Sequence, residues 1–199
     1  RSASRQNAAK LDGDNRLLWR MNRLRLDAEQ YRDSLRQISG RLDLSMGGKA
    51  VKQFVQKKGV LHSPVLDYKA YDWNRPDAKR RSIYRLVWRG IPDPFMEAMD
   101  FPNLGLLAPK RGQTISPLQS LMLFNHDFVL HHSQYLATVV TLGSPDSSAT
   151  METITNAYRL VYQRMPTSSE QTELLNYASA HGLAAMCRLL FNSNEFLFV

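Results

Sequence analysis

The sequence is poor in cysteine: Cys187 is the only one in 199 residues. A single thiol excludes an internal disulfide, a CxxC zinc site and a CxxCH haem attachment, and is compatible with any compartment. No apolar run approaches the ~20 residues that a membrane-spanning helix needs. The phosphate-cradling patterns GxGxxG and GKS or GKT are missing, so Gly47-Gly48 reads as a turn. The GxSxG elbow of a serine hydrolase is missing as well. So are the RNP-type and KH-type motifs of RNA-binding domains. There is no signal-peptide pattern and residue 1 is Arg, which reads as a fragment or a processed segment.

Acids are also in short supply. The chain has 26 Lys and Arg against 18 Asp and Glu, a net charge of +8, with the excess mainly between Arg1 and Arg111. Such a surface can meet nucleic acid, an anionic polysaccharide or an acidic partner. Arginine spent on internal ion pairs and solubility is the alternative. A hydrophobic content of 43% is ordinary for a globular chain and excludes wholesale disorder. The length suits one domain, or one domain with an appended subdomain.

What is present is mostly helical signal. The stretch Pro109 to Leu130 is the centre of the reading. Ser116 is an N-cap, Pro117 the first helical residue, and Gln119 completes a capping box. Leu118, Leu121 and Met122 give a buried turn, and Asn125 to Asp127 breaks it before a helix running to about Thr141. Upstream, NRLLWRMNRL reads as a first helix with Leu17, Leu18, Met21 and Leu24 as its apolar stripe. A second helix starts at Asp27 with Ala28, Tyr31, Leu35 and Ile38 inward, Arg32, Asp33 and Arg36 outward, and Gly40 as its stop. Leu42, Leu44 and Met46 alternate as in a short extended segment. RRSIYRLVWR, 80–89, is the best strand pattern in the chain. Asp93-Pro94 starts a short helix with Phe95, Met96 and Met99. Downstream, Met151, Ile154, Tyr158, Val161 and Met165 mark a buried face. Thr167 to Glu170 is a second capping box, and Leu183, Met186, Cys187 and Leu190 define a last helix. The predicted fold is therefore mainly α: a helical bundle with one or two short β-strands. Residues 1–13 read as a flexible arm and 14–142 as a helical and irregular region with a strand near 82–89. GSPDSS, 143–148, is the clearest linker-like loop, and 149–199 is the C-terminal helical part of the same domain.

Candidate chemistry is sparse. His126, Asp127, His131 and His132 are the densest metal-ligand types, but a third ligand at helical spacing is missing, so no metal site is assigned. A glycoside hydrolase needs two acids about 5–10 Å apart; Asp93, Glu97 and Asp100 cluster in sequence, and Asp43 or Asp72 could approach them in space. Glu97 and Asp93 equally read as an exposed acid and a cap. The basic and aromatic stretch Lys49 to Lys79 could stack on sugars or single-stranded nucleic acid, or its rings could pin an irregular insertion to the body. The pinned insertion is the stronger reading. Arg81, Asp100, Arg111, Thr114, Gln119 and Asn125 all fall at element ends around the central stretch. Buried polar groups must bond to one another, so these six read as an internal polar network or a ligand pocket. Cys187 lies on an apolar stripe and reads as an inert thiol.

Several motifs in one order carry a resemblance. NRLLWRMNRLRLDAEQYRDSLRQISGRLDLSMGG, RRSIYRLVWR, MDFPN, KRGQTISPLQSLMLFN, AYRLVYQRMPTSSE and LLFNSNEFLFV resemble the planctomycete-specific domain of unknown function, from about Asp12 to Val199. The resemblance implies the C-terminal part of a large exported protein, following another planctomycete-specific domain and often a c-type cytochrome domain. It implies an extracytoplasmic location, periplasmic or cell-surface, and an N-terminal portion of the domain that is missing. It carries over no catalytic residues. No cofactor is expected in this chain, and any haem c would sit in a neighbouring domain. The loop Leu104 to Pro109 and the region Lys49 to Asp77 are where length is expected to vary. The expected function is a non-catalytic interaction or scaffold domain whose partner is the remainder of its parent protein. An enzyme acting on polysaccharide through the acids near Asp93 to Asp100, and non-specific binding of an anionic polymer through a basic face, are the alternatives. Nucleic acid is the least favoured of these partners.

Overall fold

A computed structural model of the protein describes residues 6–59, 63–107, 110–142 and 149–199. Among them the fold is mainly α, with one two-stranded antiparallel sheet. In chain order the elements are α1 (Gln6–Leu11), α2 (Ala28–Ile38), β1 (Val55–Lys58), β2 (Pro64–Asp67), α3 (Pro94–Ala98), α4 (Pro117–Asn125), α5 (Asp127–Thr141), α6 (Met151–Tyr162), α7 (Ser168–His181), α8 (Leu183–Phe191) and α9 (Asn194–Leu197).

The helix starts follow their caps. Ser116 Oγ accepts from Gln119 N–H at 3.2 Å, while Ser116 N–H donates to Gln119 Oε1 at 3.3 Å. Thr167 and Glu170 make the same reciprocal pair at the head of α7. Each such box satisfies two amides that the first helical turn leaves without partners. His126 separates α4 from α5 by leaving helical geometry, and its Nδ1 accepts from Phe128 N–H at 3.2 Å. Gly40 follows α2 at φ +67°, a conformation that costs a Cβ-bearing residue about 1 kcal/mol.

The core lies where α5 and α8 pack, with α6 and α7 beside them. Phe128 and Leu136 from α5, Ile154 from α6, and Met186 and Phe191 from α8 are fully buried in one cluster. Tyr31 and Leu35 of α2 and Phe95 and Met96 of α3 join it. Truncating Leu136 to Ala would cost about 2–5 kcal/mol, since interiors relax only partly around a cavity.

Five expectations need correction. Residues 15–24 are not helical: Asn15 and Leu18 take positive φ, and Leu17, Leu18 and Met21 are exposed. The Asp12 carboxylate accepts from the Arg16 and Leu17 amides, a local turn that competes with a helix. Leu24 and Leu26 then pair in antiparallel fashion with Val199 and Leu197, so tertiary pairing overrides the apolar periodicity. The 80–89 stretch is not a strand either. Pro76–Lys79 and Ser82–Tyr84 are 3₁₀ turns, and Arg80 and Arg85 make only isolated bridges to Asp43 and Val51. The turns are held from α2: Arg36 donates to Ala78 O and Ser82 Oγ, and Asp33 accepts from Ser82 N–H. The strand pair lies instead in the irregular Lys49 to Lys79 region, running from Val55↔Asp67 to Lys58↔Pro64. On α4 the buried residues are Gln119 and Leu123, while Leu118 and Leu121 are exposed. Arg32 and Arg36, expected outside, are fully buried. Met151 and Met165 are exposed at the two ends of the α6 stripe, because the helix stops at Tyr162 and Gln163 turns left-handed.

The Gly143 to Ser148 loop lies outside the described residues. Gln6–Leu11 forms α1 within the stretch expected as an arm.

Candidate functional site

Three of the six candidate residues meet at one point. Asp100 sits in the turn after α3 at φ +58°, Thr114 precedes α4, and Gln119 is in its first turn. Both Asp100 oxygens are used: Thr114 N–H donates to Oδ2 at 2.7 Å and the Thr114 hydroxyl to Oδ1 at 2.8 Å. Gln119 Nε2 donates to Asp100 Oδ2 at 3.0 Å and to Thr114 Oγ1 at 2.8 Å. A fourth residue closes the knot. Arg25 donates to Asp100 Oδ2, Gln119 Oε1 and Thr114 O, each within 2.8 Å. Partial burial works against the Asp100 charge, but the Thr114 donors and Arg25 hold its carboxyl below the usual range. Arg25 is 8% exposed. No local pattern marks it, because it comes from the segment that pairs with the chain's last residues.

A second polar centre lies under α2. The stripe Ala28, Tyr31, Arg32, Leu35 and Arg36 follows the i, i+3, i+4, i+7, i+8 spacing of a buried face, and that spacing is the signal that could have placed both arginines inside. Arg32 faces Asp93 at 3.8 Å, and Arg85 faces the same carboxylate at 3.5 Å. Arg32 also donates to Gln53. Arg36 pairs with Asp33 at 3.0 Å. The two guanidiniums lie 4.5 and 5.0 Å from the Phe128 ring centre, where a ring face attracts a cation. Burial first, and then the charge of Arg36, lowers the pKa of Arg32 well below its ordinary value. Burial also lowers Arg36, to about 10, against the pull of Asp33. Asp93 is 7% exposed and additionally caps α3 by accepting from Phe95 N–H at 3.0 Å.

The remaining candidates are dispersed. Arg111 makes a two-pronged pair with Glu29, both contacts at 2.8 Å, and approaches Asp27 at 3.3 Å. Arg81 and Asn125 are exposed and lie outside the Arg25 knot. Of the hydrolase acids, Asp93 is committed to arginines and a cap, Asp100 to the knot, and Glu97 is exposed. Asp43 and Asp72 bond within their own turns. No group of three metal-ligand types occurs among the described residues. His132 is buried, with Nδ1 2.7 Å from Ser39 Oγ, and Cys187 is fully buried with its thiol pushed up to about 12. The rings of the irregular region are turned inward: Phe54 and Tyr71 are 5% exposed, and Trp73 packs against Phe128.

A concavity of about 2460 Å³ forms an open groove along the outward face of α2. Gln30, Ser34 and Gln37 line it from the helix. The segment Trp19–Arg23, the stretch 81–87 and the tail 194–199 contribute further lining. Met21, Leu44 and Ile83 each expose more than half of their surface there. Asp93, Glu97 and Asp100 do not line it.

No curated protein and no solved structure matches the chain. A family pattern does match, over residues 1–178, and the description of that family states no activity. By that match the chain belongs to the family PSD1, protein of unknown function (DUF1553).

Proposed function

We propose that this chain is a non-catalytic interaction domain that holds another part of its parent protein. Its setting is the C-terminal part of a large exported protein of planctomycete type, outside the cytoplasm, as the motif resemblance implies. Any haem c belongs to a neighbouring domain there.

One contrast carries the reading. A hydrolase needs two carboxyl groups about 5–10 Å apart across a substrate cleft. Asp93 and Asp100 are instead bound up with arginines in separate knots, and neither lines the groove. The groove itself exposes aliphatic side chains, and an exposed apolar surface of this kind marks an interaction site.

The test is a photo-crosslinking residue placed at Ser34, in the groove, in the protein as its host produces it. Crosslinks to polypeptide of the same parent are expected. The same preparation is assayed for sugar release from a polysaccharide panel, with D93N and E97Q alongside. Sugar release that disappears in either variant would overturn the reading, as would a crosslinker that captures no polypeptide.

A further inference from the structure

We infer that the groove along α2 takes an acidic, aliphatic-rich polypeptide segment; this rests on the interaction-domain reading and names the chemistry of what is held.

Charge complementarity supports the acidic half. The groove is lined by five arginines and three acids. Each acid is already neutralised: Glu29 by Arg111, Asp33 by Arg36 and Glu195 by Arg164. Arg20, Arg23 and Arg81 have no carboxylate partner among the described residues. Arg23 and Arg81 are exposed and Arg20 is half-buried, lying 5.4 Å from the Trp19 ring centre. Three guanidiniums without a carboxylate partner beside three neutralised acids leave the groove positive. Arginine is suited to carboxylates because its planar fork matches their geometry.

The exposed apolar lining supports the aliphatic half and separates polypeptide from polysaccharide. Sugars and bases bind basic grooves by stacking on open aromatic faces. Here the guanidinium of Arg20 lies over Trp19, and that of Arg85 lies over Phe101 at 5.1 Å. The exposed apolar surface of the lining belongs to Met21, Leu44, Ile83, Val199 and, at 45% and 36% exposure, Leu104 and Leu160. Branched and thioether side chains offer no flat face. They fit the side chains of a leucine- or isoleucine-bearing segment.

The test uses three labelled probes on the whole chain, read by fluorescence polarisation: a short Glu/Leu peptide, the same peptide with every Glu replaced by Lys, and heparin. Two charge reversals are compared, R20E/R23E/R81E in the groove and K52E/K58E/K69E away from it. A third variant, I83S, alters only the apolar lining without adding charge, and circular dichroism confirms that each variant folds. Expected is binding of the Glu/Leu peptide over the Lys/Leu peptide, weakened about tenfold or more by R20E/R23E/R81E. I83S is expected to weaken it about threefold or more, and K52E/K58E/K69E to leave it within about twofold. Equal loss in both charge reversals would overturn the inference, since the overall charge would then be acting. Preference for the Lys/Leu peptide, or equal affinity for both peptides, would overturn the acidic assignment while leaving the interaction-domain reading intact. Groove-dependent binding of heparin with no peptide binding would overturn both.

Discussion

Arg25 Nη2 meets Asp100 Oδ2 at 2.7 Å, although the two residues are 75 positions apart. The pair ties the extended segment at Arg25 to the turn after α3, and Asp100 keeps a left-handed backbone there. A non-glycine residue in that conformation needs support from its surroundings, and the Thr114, Gln119 and Arg25 donors supply it. Replacing Arg25 with Met should lower unfolding free energy by about 3 kcal/mol, because the carboxylate would stay largely enclosed without its cation. D100N should cost a similar amount. The double variant should cost less than the two together, by about 1–3 kcal/mol, as urea denaturation of all four proteins would reveal. Additive losses would mean that the two side chains do not act as a unit.

Asp93 separates charge from capping. D93N retains an oxygen to accept from Phe95 N–H but removes the negative charge facing Arg32 and Arg85. Uncompensated buried cations are costly, so D93N should destabilise by about 3–5 kcal/mol. E97Q, on an exposed residue of the same short helix, should stay within about 0.5 kcal/mol. Chemical denaturation compares the two directly.

The acid limb of stability should depend on His126. Burial and then Arg32 push its pKa down from 6.5 to about 4, against the opposing pull of Asp93 and Asp127. The unfolded chain therefore takes up the proton first as pH falls. Stability from this residue is complete above pH 6.5 and is lost progressively towards pH 4, by about 3 kcal/mol in all. H126N preserves a capping oxygen for Phe128 N–H and removes the titration. Its unfolding free energy should fall less steeply over that range than that of the wild type. The residual slope belongs partly to His131 and His132, whose pKa values burial also lowers.

Cys187 should be silent in the folded protein. It is fully buried on α8 and burial pushes its thiol up to about 12. A thiol reagent at neutral pH should label it only on unfolding, so the labelling rate should follow denaturant in step with circular dichroism. Prompt labelling without denaturant would mean that α8 opens locally.

The helices of the C-terminal half were legible because capping and periodicity agree there. Ser116 with Gln119, and Thr167 with Glu170, start helices where their side chains say they should. Leu183, Met186, Cys187 and Leu190 are all buried as their spacing requires. The N-terminal half was less legible because long-range contacts decide it. Leu17, Leu18 and Met21 have helical spacing, yet the pairing of Leu24 and Leu26 with the distant tail draws the chain into an extended path. Tyr84, Leu86 and Trp88 alternate like a strand, but Arg36 and Asp33 capture Ser82 and tighten the backbone into a turn. At the candidate site, the polarity of Asp100, Thr114 and Gln119 drew attention to them, whereas Arg25 had no neighbour to betray it. Arg32 and Arg36 were misplaced for a simpler reason. Charge suggests solvent, and only the width of the α2 stripe reveals that aromatic rings and Asp33 receive them.

The pairing of Leu24 with Val199 also fixes how the fold would bear a load. Each residue donates to the other's carbonyl, at 2.9 and 3.0 Å, so the chain leaves both strands from the same end of the ribbon. Tension drawn between the two flanks would peel that ribbon open one rung at a time instead of shearing all its rungs together. The seam would therefore yield at low force, exposing Arg25 and slackening its grip on Asp100 while the α5–α8 core was still intact.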